Sequence, residues 1–419
     1  MKKTIKLAVV AALALGATSA FATNGSALIG MGAKARGMAG TGIGMSHGAE
    51  SALTNPALIT SVEKTEISFG GTIFMPDVKN ENGVNLGPLG DESGSATSDA
   101  DMSVIPEVSI ASKVADNFYI GVGMWGTAGM GVDYRDANDA NTGQMNMVTN
   151  LQLMQFGVPL AYKISNFSLA VTPILQYGAL DINYVMSDAL VTAMTGGTVT
   201  KGYTVGNGVA QDLSFGFNIG ASYEMSGLTI GAVYKSRIDM EYKGQLSRAI
   251  QNFGVATYTN DKLSTPAELG IGASYVMGEH TVAIDYKQIK WSDAKGYKDF
   301  EWDDQNVISL GYEYTAKNWA ARIGYNYASS PISEQSYSGV NGAGLSSGLV
   351  NTFNLLGFPG VVESHYAVGG TYAISEVTSF DVAFTYAPEV TNTYKNFLGQ
   401  NITTKHSQTG LSLQANFAF

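Results

Sequence analysis

The sequence predicts an all-β membrane protein: a 14-stranded antiparallel transmembrane β-barrel with an N-terminal segment lodged in its lumen. Three observations predict it. The chain opens with an export leader, its long segments alternate apolar and polar residues at period two, and its connections alternate between short and long.

The leader comes first. Lys2, Lys3 and Lys6 precede an apolar run from Leu7 to Ala17, and Ala20-Phe21-Ala22 supplies a small-x-small cleavage site. A single-span anchor is the alternative, but the run is shorter than the ~20 residues a spanning helix needs. Residues 1–22 therefore read as a signal peptide, and the mature chain as Thr23 to Phe419.

Composition narrows the rest. No later stretch is apolar enough for a membrane helix, while 50 glycines, 22 tyrosines and 17 phenylalanines suit strands better than packed helices. The absence of cysteine removes disulfides and thiolate metal sites, so strand closure must hold the fold. With 24 basic against 35 acidic residues, and three of the lysines in the leader, the chain is a poor partner for nucleic acid.

Alternation decides the architecture, because a wall between lipid and a polar lumen must place apolar and polar residues on opposite faces. Leu411, Leu413, Ala415, Phe417 and Phe419 oppose Ser412, Gln414 and Asn416; Leu213, Phe215, Phe217, Ile219 and Ala221 oppose Asp212, Ser214, Asn218 and Ser222. The same dyad recurs at 319–327 and 380–387. A soluble sandwich also alternates, but its strands average about five or six residues, and here aromatics such as Tyr223, Tyr275, Tyr312, Tyr327, Tyr372 and Tyr386 stand near strand ends, as at a membrane boundary.

Strands are expected near 62–75, 102–114, 117–134, 147–165, 167–185, 210–224, 227–243, 263–277, 279–292, 303–315, 318–330, 361–375, 377–389 and 403–419. Their even number suits a bacterial single-chain barrel. Tight links at Asp116-Asn117, Ser165-Asn166, Ser226-Gly227, Gly278, Lys317-Asn318 and Ser375-Glu376 read as periplasmic turns. The segments 76–101, 187–209, 244–262 and 331–360, rich in Gly, Ser, Asn and Asp, read as external surface loops.

Residues 23–61 break the alternation. Eight glycines from Gly25 to Gly48 mix with Ala, Met and Ser, then Thr54-Asn55-Pro56-Ala57 follows. No preceding strand and no closing Lys-Ser/Thr supports a phosphate loop. Small residues that pack backbone closely, with Pro56 barring a continuous helix, fit a compact plug. The expected domains are the signal peptide 1–22, an N-terminal hatch segment 23–61 and the barrel 62–419.

The Gly/Ala-rich segment ending in Asn55-Pro56-Ala57, the fourteen strands and the terminal Asn416-Phe417-Ala418-Phe419 together resemble the FadL/TodX family of outer-membrane transporters of long-chain fatty acids and aromatic hydrocarbons. The resemblance spans essentially the whole mature chain. It implies that Asn55, Pro56 and Ala57 form a hatch motif, that external loops capture ligand, and that ligand leaves sideways through an inward kink of the third strand. Gly121-Val122-Gly123-Met124-Trp125-Gly126-Thr127-Ala128-Gly129 resembles that strand, which places the kink at Gly126 with Gly123 beside it. Glycine suits a bulge or a gap, and equally suits relief of crowding. The resemblance fails at Ser46–Ser51, where the family's acidic cluster is reduced to Glu50 and His47 is added, so no role of paired acids carries over.

Lumen parity on the seventh, ninth and eleventh strands includes Lys235, Arg237, Lys287 and Arg322. Lys235, Arg237 and Lys287 are candidate partners for a ligand carboxylate; the alternative is structural pairing with Asp212, Asp239, Asp285, Glu313 or Asp381. An aromatic hydrocarbon needs only an apolar pocket. Asp133–Asp139 holds oxygen ligands, but its spacing is not that of an EF-hand and a solvated acidic loop is the simpler reading.

The expected partners are a hydrophobic small molecule, outer-membrane lipid and lipopolysaccharide, with the chain a monomer, and neither cofactor nor metal is called for. A general porin and a barrel lipase are the alternatives. A porin requires an open aqueous lumen, and a lipase requires a nucleophile constellation, whereas His47, His280, His365 and His406 stand in no such motif.

Overall fold

A computed structural model of the chain describes residues 23–135 and 143–419, so the expected signal peptide lies outside the described residues. Among these, fourteen long strands form one closed antiparallel wall: β1 Thr65–Asn82, β2 Ser103–Lys113, β3 Phe118–Asp133, β4 Val148–Gly157 continued by Leu160–Ile164, β5 Phe167–Met186, β6 Ala210–Met225, β7 Leu228–Lys235, β8 Glu268–Met277, β9 His280–Ile289, β10 Gln305–Thr315, β11 Trp319–Ala328, β12 Ser364–Ala373, β13 Thr378–Lys395 and β14 Asn401–Ala418. Each strand pairs with its sequence neighbours, and β14 closes on β1 from Ile402↔Asn82 to Ala418↔Glu66. The pairing of β14 with β1 closes the sheet on itself, which is what a sheet in hydrocarbon requires.

The alternation points outward as expected. Phe215 is 78 % exposed whereas Asn218 of the same strand is 4 % exposed, and Leu413 stands out from the wall beside buried Ser412 and Gln414. A soluble sandwich would reverse this sense, hiding the apolar face. No described helix is long and apolar enough to cross a membrane.

Turn chemistry follows the residues. Ser226 and Gly227 both hold positive φ (49° and 86°) in a two-residue hairpin, and Gly278 does so at 63°, the left-handed conformations that match the twist of the flanking strands. Strand ends differ from expectation where tertiary partners intervene. β4 is interrupted at Val158-Pro159, because proline brings no ladder N–H. β7 ends at Lys235 rather than near 243, and the chain then folds across to bridge Ile238 with Thr265. β13 runs past Pro388 to Lys395 through a bulge between Ala387 and Val390, and β1 passes Pro76 to Asn82, held by β14.

One expectation is corrected. Residues 331–360 do not form a surface loop throughout: a helix at Ser347–Thr352 and a π-turn at Phe353–Gly357 are buried, with Leu349, Phe353, Leu355 and Leu356 almost without exposure. Thr149 Oγ1 of β4 donates to the Gly357 carbonyl (2.5 Å), and Thr404 Oγ1 of β14 donates to that of Leu355 (2.7 Å). The loop therefore turns inward against β4 and β14, because its apolar residues find more burial there than at the surface.

Candidate ligand cavity and wall seam

Residues 24–62 are buried almost throughout and bond to inward-facing side chains around the barrel. In the short helix Gly32–Gly37, Gly32 N–H donates to Glu107 Oε2 (2.9 Å) and Ala33 N–H to Gln414 Oε1 (3.0 Å), while Arg36 donates to Thr72 Oγ1 (2.6 Å) and forms an ion pair with Glu107. On the far wall Asp285 Oδ2 accepts from Gly42 N–H (2.7 Å) and Ile43 N–H (2.8 Å), and Ser274 Oγ donates to the Gly44 carbonyl (2.7 Å). The segment lies between these walls. Its glycines have a steric reason: a Cβ on Gly44 would stand 2.4 Å from the Ala273 nitrogen.

Asn55 is wholly buried, and its side chain does three things. Nδ2 donates to the carbonyls of Ile43 (2.7 Å) and Ala221 (3.1 Å), and Oδ1 accepts from Ala57 N–H (3.2 Å), capping the 3-10 turn Pro56–Ser61 that Pro56 begins. Proline suits that first position because its missing N–H would have no partner there. The wall is cut to fit: a Cβ on Gly220 would lie 2.2 Å from Asn55 Oδ1, and one on Gly231 would lie 1.8 Å from the Ile43 oxygen.

The third strand carries the irregularity. β2 and β3 pair from Lys113↔Tyr119 to Glu107↔Trp125, and there their ladder ends, although β2 continues to Ser103 and β3 to Asp133. On its other edge β3 slips register against β4 between Gly126 and Ala128, which makes Thr127 a bulged residue. Gly126 thus sits at the bulge and at the head of the seam, where a Cβ would meet Ile105 Cγ2 at 2.7 Å. Gly123 has a different setting. It leaves room for the buried Trp125 ring, which a Cβ there would strike at 1.9 Å and whose Nε1–H donates to Ser109 Oγ (2.8 Å).

A cavity of about 80 Å³ lies between the N-terminal segment and the wall, lined by Leu28, Ile29, Ile43, Thr127, Ala128, Lys235, Glu268, Asp285, Lys287, Trp291 and Tyr297 among others. It reaches from the seam to two of the three candidate cations. Lys235 Nζ stands 3.2 Å and Lys287 Nζ 4.0 Å from Glu268 Oε2. Arg237 is elsewhere: it lies past the end of β7, its side chain 41 % exposed, and bonds Asp239 at 2.8 Å. Arg322 pairs with Glu313 (2.5 Å) and with Asp381 (3.7 Å). The acid that unites the two lysines, Glu268, was absent from the sequence reading, although it stands on the lumen parity set by outward Leu269 and Ile271.

Around Ser46–Ser51 the structure is informative. Glu50 is 4 % exposed and neither of its carboxylate oxygens has a hydrogen-bond partner among the described residues. Burial pushes this carboxyl well above the ordinary range, against the opposing pull of Lys34. His47, buried with Nε2 2.7 Å from the Thr41 carbonyl oxygen, is pushed down by burial to about 4. In the acidic loop, Arg135 bonds Asp133 at 2.5 Å, and residues 136–139 of the considered calcium run lie outside the described residues.

A closed antiparallel wall, apolar on its outer face and buried-polar within, defines an outer-membrane barrel protein. The particular kind follows from kinship. Over residues 8–339 the chain matches the family described as outer membrane protein transport protein (OMPP1/FadL/TodX), and it belongs to that family. The long-chain fatty acid transport protein of Escherichia coli O6:H1 is 24% identical over 397 residues, spanning 83% of this chain and 84% of its own. The 47 kDa outer membrane protein of Pasteurella multocida is 23% identical over 427 residues, spanning 90% and 92%. Among solved structures, a Pseudomonas aeruginosa FadL homologue superposes with TM-score 0.72 at 17% identity over 94% of this chain and 100% of its own. The Pseudomonas putida toluene transporter TodX superposes with TM-score 0.68 at 18% identity, over 93% and 99%. At such identities these likenesses speak for the fold.

Proposed function

We propose that the protein is an outer-membrane uptake channel for hydrophobic small molecules, long-chain fatty acids or aromatic hydrocarbons, that works by passive diffusion and without covalent chemistry. Residues 1–22 are removed as a signal peptide, residues 23–61 act as the hatch with Asn55-Pro56-Ala57 as its motif, and 62–419 form the barrel of a monomer embedded among lipid and lipopolysaccharide. External loops capture ligand, the cavity receives it, and it leaves sideways where β2 and β3 part. The single observation that carries this reading is the end of the β2–β3 ladder at Glu107↔Trp125, directly beside a cavity lined by Thr127 and Ala128. A general porin fits poorly with a lumen crossed by segment 24–62 and by the inturned loop.

Replacing Gly126 by Leu crowds the seam, where a Cβ alone would already meet Ile105 Cγ2 at 2.7 Å. Uptake of an apolar tracer should fall to background while the barrel stays folded and displayed at the cell surface; unchanged uptake would overturn the sideways exit. Ligand class is read separately. Lys235 and Lys287 face the cavity with Glu268 and Asp285, so a carboxylate ligand must compete with Glu268, whereas an aromatic hydrocarbon needs only the apolar lining. Lys235→Met and Lys287→Met should weaken binding of a fatty acid more than of its neutral alcohol, with Arg237→Met affecting neither; equal loss for both ligands would reject carboxylate recognition. Growth of a deletion strain on long-chain fatty acids against monocyclic aromatics as sole carbon source identifies the class.

A further inference from the structure

The outward face of the wall is apolar, as contact with lipid requires, but it is not even. One cross-strand row runs over five strands from β11 to β1, through the pairs Trp319↔Tyr372, Tyr372↔Phe380, Phe380↔Ala415 and Ala415↔Phe69. Four of its five members are exposed rings, and the fifth is an alanine. Neighbouring strands lie about 4.8 Å apart, so the backbones carrying Phe380 and Phe69 flank Ala415 at about 9–10 Å from each other, which leaves a slot one hydrocarbon chain wide between the rings. On β12 the next row opens the face further: a Cβ on Gly370 would meet the Ala320 carbonyl oxygen at 3.1 Å and no other atom within 4 Å. These gaps make an outward groove of about 620 Å³ that takes in Phe69, Trp319, Tyr372 and Phe380 together with Ala415 and Gly370.

The groove has a definite level in the membrane. Trp319 directly follows the turn Lys317-Asn318, Tyr372 stands three residues before Ser375, and Ala415 lies four residues from Phe419. This is the end of the barrel with the short turns, where the surrounding leaflet of an outer membrane is glycerophospholipid and lipopolysaccharide is confined to the opposite leaflet. The two turns belong to neighbouring hairpins, joined where Ala373 N–H donates to the Asn318 carbonyl (2.8 Å). One offers a cation, Lys317, and the other an anion, Glu376. Both are exposed, and among the described residues neither side chain forms a hydrogen bond or an ion pair. Glu279 of the preceding hairpin is engaged instead: it accepts from Tyr314 Oη (2.7 Å), whose ring packs on Trp319 with centroids 5.4 Å apart.

We propose that this groove is a binding site for one zwitterionic glycerophospholipid of the periplasmic leaflet. An acyl chain lies in the slot over Ala415 and Gly370, the phosphate sits by Lys317, and the headgroup ammonium sits by Glu376. Trp319 and Tyr372 stand at the glycerol level, where amphipathic rings are favoured. An anionic headgroup would gain at Lys317 and lose at Glu376, whereas a zwitterion is matched at both. The site goes beyond uptake: it depends on the barrel's place in the membrane and not on what the barrel carries.

Native mass spectrometry tests it on the full chain, extracted in mild detergent from membranes containing phosphatidylethanolamine and phosphatidylglycerol. The parent should keep one phospholipid of ethanolamine mass. Ala415→Phe closes the slot and should lose that lipid, and Gly370→Leu, which fills the groove from another strand, should do the same; a heat-dependent mobility shift on gels verifies that each variant is a folded barrel. Lys317→Gln should lower retention of either lipid about fivefold, the effect of one basic residue near a membrane surface. Glu376→Gln should erase the preference for the ethanolamine headgroup. A parent that keeps no lipid, or retention as strong in both groove-filling variants, would overturn the site. Equal retention of the two lipids by the parent would overturn the headgroup assignment, and a dimer that dissociates on Ala415→Phe would show a second copy of the chain on the groove and overturn the lipid as its occupant.

Discussion

Two segments fill the inside of this barrel, and they are held by different physics. Residues 24–62 are small and glycine-rich, and their grip is directional: Arg36 on Glu107, Asp285 on the amides of Gly42 and Ile43, Asn55 on the carbonyls of Ile43 and Ala221. The inturned loop adds a cluster of large apolar side chains to its hydrogen bonds from Thr149, Trp302 and Thr404. Phe353 packs edge-on to Phe253 (5.6 Å) and Tyr184 (6.4 Å), and Leu349, Leu355 and Leu356 are buried beside it. A contact built from hydrogen bonds fails when one partner or one proton changes. A contact built from apolar area loses strength in proportion to the volume removed.

The sharpest way to separate the two is to delete one buried charge. Arg36→Met leaves Glu107 without its cation inside the lumen, a change that typically costs about 3–5 kcal/mol. Proteolysis in detergent should cut the N-terminal segment readily while the inturned loop stays protected. Phe353→Ala tests the converse; a lost core phenylalanine costs about 3–5 kcal/mol at most sites and somewhat less where the surroundings can collapse. Hydrogen exchange should then accelerate over 347–357 and leave 32–44 as before. If either substitution loosens both segments equally, the two are one cooperative unit.

Asn55→Ala is expected to have a smaller effect, about 1–3 kcal/mol, because it strips the partner from two buried carbonyls and one cap. Exchange at Ala57 and Ile43 should report it. The smallest expected effect is that of pH. Glu50, held protonated by burial, steadies the segment in acid; this contribution fades as pH rises from 4.5 through the raised folded value. His47 works in the opposite sense, contributing above 6.5 and losing that contribution as pH falls towards about 4. Glu50→Gln should therefore abolish the loosening of residues 46–52 that comes as pH rises and retain the one that comes as pH falls. Identical exchange profiles for the variant and the parent would show that Glu50 does not titrate with the segment.

Much of the wall was legible beforehand, since an alternation such as Leu213 to Ala221 is written in consecutive residues and each strand's faces follow from its own period. The turns were legible for the same reason: Ser226-Gly227 and Gly278 carry their own conformational requirement. The site was legible only in part. Gly126, Lys235 and Lys287 were singled out on strand parity and resemblance, whereas Arg237, assigned to the same parity, lies beyond β7, which ends two residues before it.

What tertiary structure alone decided is everything that meets across the lumen. Glu268 joins Lys235 to Lys287, Gly123 yields to the Trp125 ring, and Ser26 reaches Tyr297, 271 positions away in the chain. The inward turn of 345–362 belongs to the same class, because a loop's composition does not say which side of a closed wall buries more of it. By itself the sequence determined a barrel with an apolar skin and its turns, since period and turn conformation are local properties. The contents of that barrel depend on which distant residues the closed wall brings face to face, and that is a property of the cylinder rather than of any one strand.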